Sequence, residues 1–596
     1  MNRKMAWVGL AAAVSVGALG VFLATQARAE AGKAKLDFPL APNIYGEGIL
    51  FVFSGVDGRT SYTSPCAAST LGDGVGLRLY LPKDPVIRVR LPAPGVEALK
   101  WRLVANDVMV ADVDWDAQPL VIAFLSPNVV VGRVPESCRV SLEGGDSSVV
   151  LLRKNVDGRT QFSFAYDPTG GKLAREMANT ASHASIDTLV ETRLDFFKNL
   201  PPAPDGIEKI RARAFFKAFS VLKANEYGPE PSIAGQWPSP ARWPLRDIWL
   251  QPTAFESLGL MHMDVRLAKE ALQTVYAFQT ESGMIPNHMA PGRTTEISNP
   301  PILAWAAWQV YQFDKERDQQ FLEKSFDAAQ RHVTWFMTKR RLDGEPPPNK
   351  PMEYGTPLYF WQSAEESGAE TSPRFDGAAA AFAAVDLSCY LANECWTLQM
   401  MAQRLGYAEL AKRWGIRGDA IAEAARKELW DDRRGFYFDR KGPGGDWIDV
   451  WTYAGLLPLW SGVATPDQAA RLKNHLLSNK FWTAMPVPTV ARNDKAYQAD
   501  IGRGPAAAHV NYLVIRGLQR FGYAKEASDL RERTLAGIAN WYGKSGVLFE
   551  YYDGDDETPP NKLARTGAAA GSVTSPVTDY DPTAAVYIDL LIRPKP

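Results

Sequence analysis

The chain has 596 residues, 22% of them charged, with a formal net charge of -1 and four cysteines. That length allows more than one domain at roughly 100 to 200 residues each, and a charge balance so near neutrality leaves no basic footprint for nucleic acid. Six histidines without an H-E-x-x-H pair, no C-x-x-C spacing and no phosphate- or dinucleotide-binding glycine fingerprint give no signal for a metal or cofactor, so none is expected.

The first element in chain order reads as an export signal. A basic start at Arg3 and Lys4 precedes an apolar run from Ala6 to Ala24 and a small-x-small triplet, Ala27-Arg28-Ala29. This order predicts a signal peptide over residues 1–29 and a mature chain in the periplasm or outside the cell. An apolar run of about 20 residues also suffices to span a bilayer, so an uncleaved anchor is the alternative. Residues 30–198 carry short alternating runs such as "VGLRLYLP", "LVIAFLSP" and "TQFSFAYDP" broken by Gly, Pro and Asp, and predict an N-terminal β-sandwich domain. Within it the pentapeptide Val56 to Thr60 recurs as Val156 to Thr160, and its Asp-Gly pair predicts two similar turns. Cys66 and Cys138 could form a disulfide in an oxidising compartment. A proline-rich linker follows at residues 199–206.

From residue 207 to 596 the apolar period changes from two to about 3.6. Amphipathic segments begin near Ile207, Thr253, Val265, Pro301, Gln319, Val385, Ala408, Val450, Pro466, His509, Ala524 and Thr583. Helices in such number with little strand between them suit hairpins closed into a double ring, so the expected fold is mainly α, an (α/α)6 helical barrel (toroid) preceded by the β-sandwich. Cys389 and Cys395 fall in one helical segment, about 9 Å apart along the axis, too far to bridge, and read as buried thiols. The loops between helices mix aromatic, arginine and carboxylate side chains, as in "SPARWPLRDIWLQP", "YFWQSAEESGAETSPRFDG", "ARNDKAYQADIGRGP" and "LFEYYDGDDETPP". A sugar is met by such a mixture, its CH face stacking on a ring and its hydroxyls taking hydrogen bonds. The acidic run Asp553, Asp555, Asp556 and Glu557 lacks the spacing of a calcium loop and reads as a solvated turn.

Five segments in series carry a family likeness. They are the stretch from Leu258 through the "GMIPN" turn at 283–287, "NPPILAWAAWQVY", "ESGAETSPRFD", "RGPAAAHVNYLVIRGLQRFGY" and "FEYYD". In order and spacing they resemble glycoside hydrolase family 63 and the trehalase-like group, including the mannosylglycerate hydrolase type of domain, from about Arg242 to the C-terminus. The resemblance implies an (α/α)6 glycosidase that cleaves an α-linked glucoside or related small saccharide with inversion. Such enzymes need a protonated carboxyl and a second carboxylate about 6.5 to 9.5 Å apart. Carried over by motif, the acid is Glu370 and the base Glu550. Glu366, in the same loop, is the alternative acid.

Asp247, Arg374 and Arg503 are candidates to bind hydroxyls or a carboxylate. Trp249, Trp361 and Tyr551 are candidate stacking faces, and Asn287 of the "GMIPN" turn is a further contact. Three positions depart from the family: Glu370 stands for Asp, Gln251-Pro252 for a Trp-Asp pair, and Gly502 for an aromatic beside Arg503. These leave two rival readings, a non-catalytic carbohydrate-binding barrel and a polysaccharide lyase on a helical toroid. The expected partner is an oligosaccharide or disaccharide.

Overall fold

The computed structural model describes residues 41–64, 67–72, 76–90, 100–113, 116–344, 356–377, 381–567 and 573–593. The export segment and Cys66, with the disulfide expected of it, therefore lie outside the described residues. The chain divides between Leu200 and Pro201 into two compact units.

The N-terminal unit is β-rich. Its strands are β1 (Leu50–Val52), β2 (Ala67–Thr70), β3 (Gly76–Leu79), β4 (Val86–Arg90), β5 (Lys100–Ala105), β6 (Val108–Val113), β7 (Asp116–Ser126), β8 (Val129–Pro135), β9 (Arg139–Glu143), β10 (Val149–Val156) and β11 (Arg159–Tyr166). They form two antiparallel sheets, ordered β1-β2-β3-β4-β9 and β10-β11-β8-β7-β6-β5. Phe51 of the first meets Phe124 of the second with ring centroids 5.4 Å apart. Two helices, α1 (Gly171–Ala181) and α2 (Ile186–Lys198), also pack on the six-stranded sheet. Cover on both faces explains why Leu120 to Leu125 and Val129 to Val131 are buried without alternation. The recurring pentapeptide serves two ends: Val156 to Arg159 closes the β10–β11 hairpin, whereas Asp57 sits in a turn and ion-pairs with Arg193 at 3.3 Å.

Helices make up most of the C-terminal unit. They are α3 (Lys209–Asn225), α4 (Leu250–Met263), α5 (Val265–Ala277), α6 (Leu303–Phe313), α7 (Gln319–Lys339), α8 (Val385–Arg404), α9 (Ala408–Glu428), α10 (Leu457–Ser461), α11 (Pro466–Leu476), α12 (Ala508–Arg520), α13 (Ala524–Ser545) and α14 (Asp581–Ile592). Two kinds alternate along the chain. Helices α4, α6 and α14 are apolar nearly all round and buried along most of their length, the pattern of a helix with neighbours on every side. Helices α5, α7 and α11 are amphipathic, with one buried face.

Helix α4 packs on α14 and α6, α6 on α8, α8 on α10, α10 on α12, and α12 on α14. The contact of α4 with α14 is close enough that a Cβ on Gly259 would stand 2.5 Å from the Cα of Ala585, so no larger residue fits there. Local chemistry sets the ends: Asp264 and Asp318 cap α5 and α7, and Thr465 with Gln468 forms a capping box ahead of Pro466. Cys389 and Cys395 are buried thiols on α8. Among the described residues no helix is long and apolar enough to cross a membrane.

Candidate active site

A cavity of about 150 Å³ opens in the C-terminal unit. Its wall comes from the six segments that lead into α4, α6, α8, α10, α12 and α14, represented by Trp249, Asn287, Glu370, Tyr453, Ile501 and Glu550. Residues distant in sequence therefore share one wall because the helices they open share one end.

Glu370 and Glu550 both line this cavity. Glu370 is half-buried, and its carboxyl lies against backbone: a Cβ on Gly567 would come within 2.9 Å of it. Glu550 is 9% exposed and ion-paired with Arg565, and its Oε2 accepts from the Val577 N–H at 3.2 Å. Burial opposes the charge of Arg565, but Glu550 outweighs it and holds the guanidinium above its ordinary range. Tyr551 lines the cavity too and donates from its hydroxyl to the Ala564 carbonyl at 2.7 Å.

Trp249 and Asn287 are the other two expected residues in the wall. Trp249 stands on a small sheet built from Ile248–Trp249, His288–Ala290 and Arg293–Thr294, and its ring lies 4.5 Å from that of His288. Burial pushes the His288 imidazole below its usual range. Trp249 Nε1 and Asn287 Oδ1 find no hydrogen-bond partner among the described residues.

The structure does not bring Asp247, Trp361, Arg374 or Arg503 to the cavity wall. Asp247 is held by Arg293, whose Nη2 lies 2.8 Å from both carboxylate oxygens. Arg503 pairs with Asp376 and donates to the Thr371 carbonyl at 2.9 Å. Trp361 donates from Nε1 to Asp386 at 2.9 Å, and Arg374 bridges Asp386 at 2.6 Å and Asp439 at 3.1 Å. All four of these last residues are buried, so they brace the Glu370 loop from behind. Glu366 is fully buried and clamped by Arg340, with Nε 2.8 Å from Oε2 and Nη2 2.8 Å from Oε1, so it too is away from the cavity.

Among wall residues not expected as site residues are Glu365, Arg565, His509 and Tyr580. Glu365 and Glu366 are neighbours in sequence with opposite environments, which residue type cannot foretell. Arg565 sits in the unremarkable run "NKLARTG", and only tertiary contact reveals its partner. All three departures noted above, Glu370, Gln251-Pro252 and Gly502, stand in the wall itself. Among the described residues no group of ligating side chains is placed to hold a metal ion. In the acidic run, Asp553 accepts from the Glu557 and Thr558 N–H groups and Asp555 pairs with Arg492, so these carboxylates close a turn.

Residues 246–566 match the family described as the mannosylglycerate hydrolase MGH1-like glycoside hydrolase domain. The chain is similar to mannosylglycerate hydrolase MGH1 of Selaginella moellendorffii, 25% identical over 419 residues, 58% of this chain and 81% of that protein. It is 24% identical over 408 residues to the mannosylglycerate hydrolase of Thermus thermophilus, 56% of this chain and 94% of that one. Its fold resembles the crystal structure of a GH63 mannosylglycerate hydrolase from Thermus thermophilus in complex with glucose, with a TM-score of 0.51, 23% identity, and 63% of this chain and 98% of that chain covered.

Proposed function

Since the chain belongs to the mannosylglycerate hydrolase MGH1-like glycoside hydrolase family, we propose that it cleaves an α-linked glucoside or related small saccharide by single-step inversion, with Glu370 as acid and Glu550 as base. The observation that carries this is the meeting of the two carboxyls, 180 residues apart in sequence, on one cavity wall. An inverting site needs a proton donor toward the leaving oxygen and a base that activates water on the opposite ring face. Arg565 ion-pairs with Glu550 and holds its carboxyl in place at the wall. Trp249 and Tyr551 supply rings, and Asn287 an amide oxygen that a sugar hydroxyl can satisfy.

The fold that goes with this reading is a closed (α/α)6 barrel. It is supported by the run of packing contacts α4–α6–α8–α10–α12–α14 and back to α4, with one chain-adjacent helix between each. Export through the signal at residues 1–29 completes the reading. N-terminal sequencing of the native protein is expected to begin near Glu30, and an intact Met1 in a membrane fraction would favour the anchor.

The test of the chemistry is Glu370→Gln and Glu550→Gln. Each keeps size and hydrogen bonding but removes proton transfer, a role worth about 10² to 10⁴ in rate. Both variants are expected to lose hydrolysis of an α-disaccharide panel while holding sugar affinity within a few fold by calorimetry. A fully active Glu370→Gln on a substrate with a poor leaving group would remove Glu370 from the acid role. Glu365, already in the wall, would then be the carboxyl to substitute.

A further inference from the structure

Three carboxyl groups, Glu365, Glu370 and Glu550, face the cavity among the described residues, against one guanidinium, Arg565. Arg565 is already taken by Glu550. Wall residue His509 adds no cation, because burial pushes its imidazole down to about 4. The arginines around the site are committed in the same way: Arg293 to Asp247, Arg503 to Asp376, and Arg374 to Asp386 and Asp439.

Helix N-termini that end at the cavity would also attract an anion. Two of them are closed by the protein's own carboxylates. Glu394 accepts from the Ala304 and Trp305 N–H groups of α6, both at 2.8 Å, and Asp439 and Asp386 accept from Val385 and Leu387 of α8 at 2.8 and 2.9 Å. An entering anion would have to pull a cation from one of these pairs and leave a buried carboxylate uncompensated. Even with Glu370 carrying the proton of a general acid, Glu365 and Glu550 outnumber Arg565.

From this arrangement we infer that the cavity selects a neutral or cationic glycoside and discriminates against one whose aglycone carries a carboxylate, with Glu365 as the residue that sets the preference. This deepens the glycosidase reading above and rests on it. The arginines that the sequence offers as carboxylate binders are the ones the structure has already spent on Asp and Glu.

A matched pair of substrates tests it, α-glucosylglycerol and α-glucosylglycerate, which differ by a carboxylate in place of a CH₂OH group. The full chain is expected to favour the glycerol compound by about tenfold or more in kcat/KM and in affinity by calorimetry, the scale of one charge–charge repulsion across a partly screened site. Glu365→Gln should narrow that ratio by at least about threefold, by gaining affinity for the glycerate compound. Equal or faster cleavage of the glycerate overturns this inference and leaves the hydrolase reading standing, as does a Glu365→Gln variant with an unaltered ratio. If neither compound nor any other α-glycoside is cleaved while the affinities keep the stated order, the hydrolase reading falls and the charge preference survives. Binding of neither overturns both.

Discussion

Glu550 lies in a place only 9% exposed, with its charge matched by Arg565 and one oxygen bonded to the Val577 N–H. Removing the cation as Arg565→Met would leave a buried carboxylate with no counter-charge, and kcat near neutrality is expected to fall by about 10 to 10³. Arg565→Lys keeps the charge and should keep most of the activity. An unchanged kcat in Arg565→Met would mean that the pair does not govern the base. Glu370, Glu550, Trp249, Asn287 and Tyr551, all singled out from the sequence, line one cavity because the segments that carry them lead into helices whose ends share it. Motif order could not sort Trp361 and Arg374 from them. Their partners Asp386 and Asp439 lie 12 to 65 residues away, and residue type does not say which side of a loop faces the cavity.

Adjacent helices are tied by buried carboxylates as well as by apolar packing. Glu394 reaches from the middle of α8 to cap α6, and Asp589 of α14 accepts from the Tyr512 hydroxyl of α12 at 2.8 Å and pairs with His262 of α4 at 2.9 Å. Removing a cap and stranding two buried N–H groups costs about 2 to 4 kcal/mol. Glu394→Ala should therefore lower the unfolding free energy by that amount, measured by urea titration, and Glu394→Gln by less, since its amide oxygen still accepts. Loss of under about 0.5 kcal/mol in Glu394→Ala would show that the cap is dispensable.

Periodicity located the helices well where one face alternates with another. Segments expected near Val265, Gln319, Val385, Ala408, Pro466 and Ala524 begin at those residues. It was less exact at the inner helices, whose apolar runs have no clear phase. Helix α4 starts at Leu250 rather than Thr253, because Pro252 is tolerated in a first turn. The segment expected near Val450 is a 3₁₀ turn over Tyr453–Leu456 followed by the short α10, which Gly462 ends in the left-handed conformation.

Across the whole molecule, the buried ionisable groups set a pH window for stability. Five buried carboxyls are held toward their protonated form by burial: Glu256 at about 8, Glu394 at about 7, Asp439 at about 6, and Glu226 and Asp581 well above their ordinary values. Glu226 Oε1 and Asp581 Oδ2 have no hydrogen-bond partner among the described residues, as befits neutral acids packed together. Four histidines are shifted the other way by burial, His332 to about 3, His509 to about 4, and His288 and His475 below their ordinary value. The signs oppose each other. Between the unfolded carboxyl value near 4.5 and the folded values near 7 to 8, the native state binds more protons than the unfolded chain, so stability falls as pH rises. Below 6.5 the unfolded histidines take up protons that the native ones refuse, so stability falls as pH drops. With the carboxyls losing stability toward alkaline pH and the histidines toward acid pH, the maximum is expected at about pH 5 to 6, with a fall in stability by about pH 8.5. Glu256→Gln removes one proton-linked group without changing its volume. Its urea midpoint should match wild type at about pH 5 and exceed it at about pH 8.5. A wild-type midpoint that stays flat or climbs from pH 5.5 to 8.5, with no gain in the variant, would show that these carboxyls ionise in the folded state without cost.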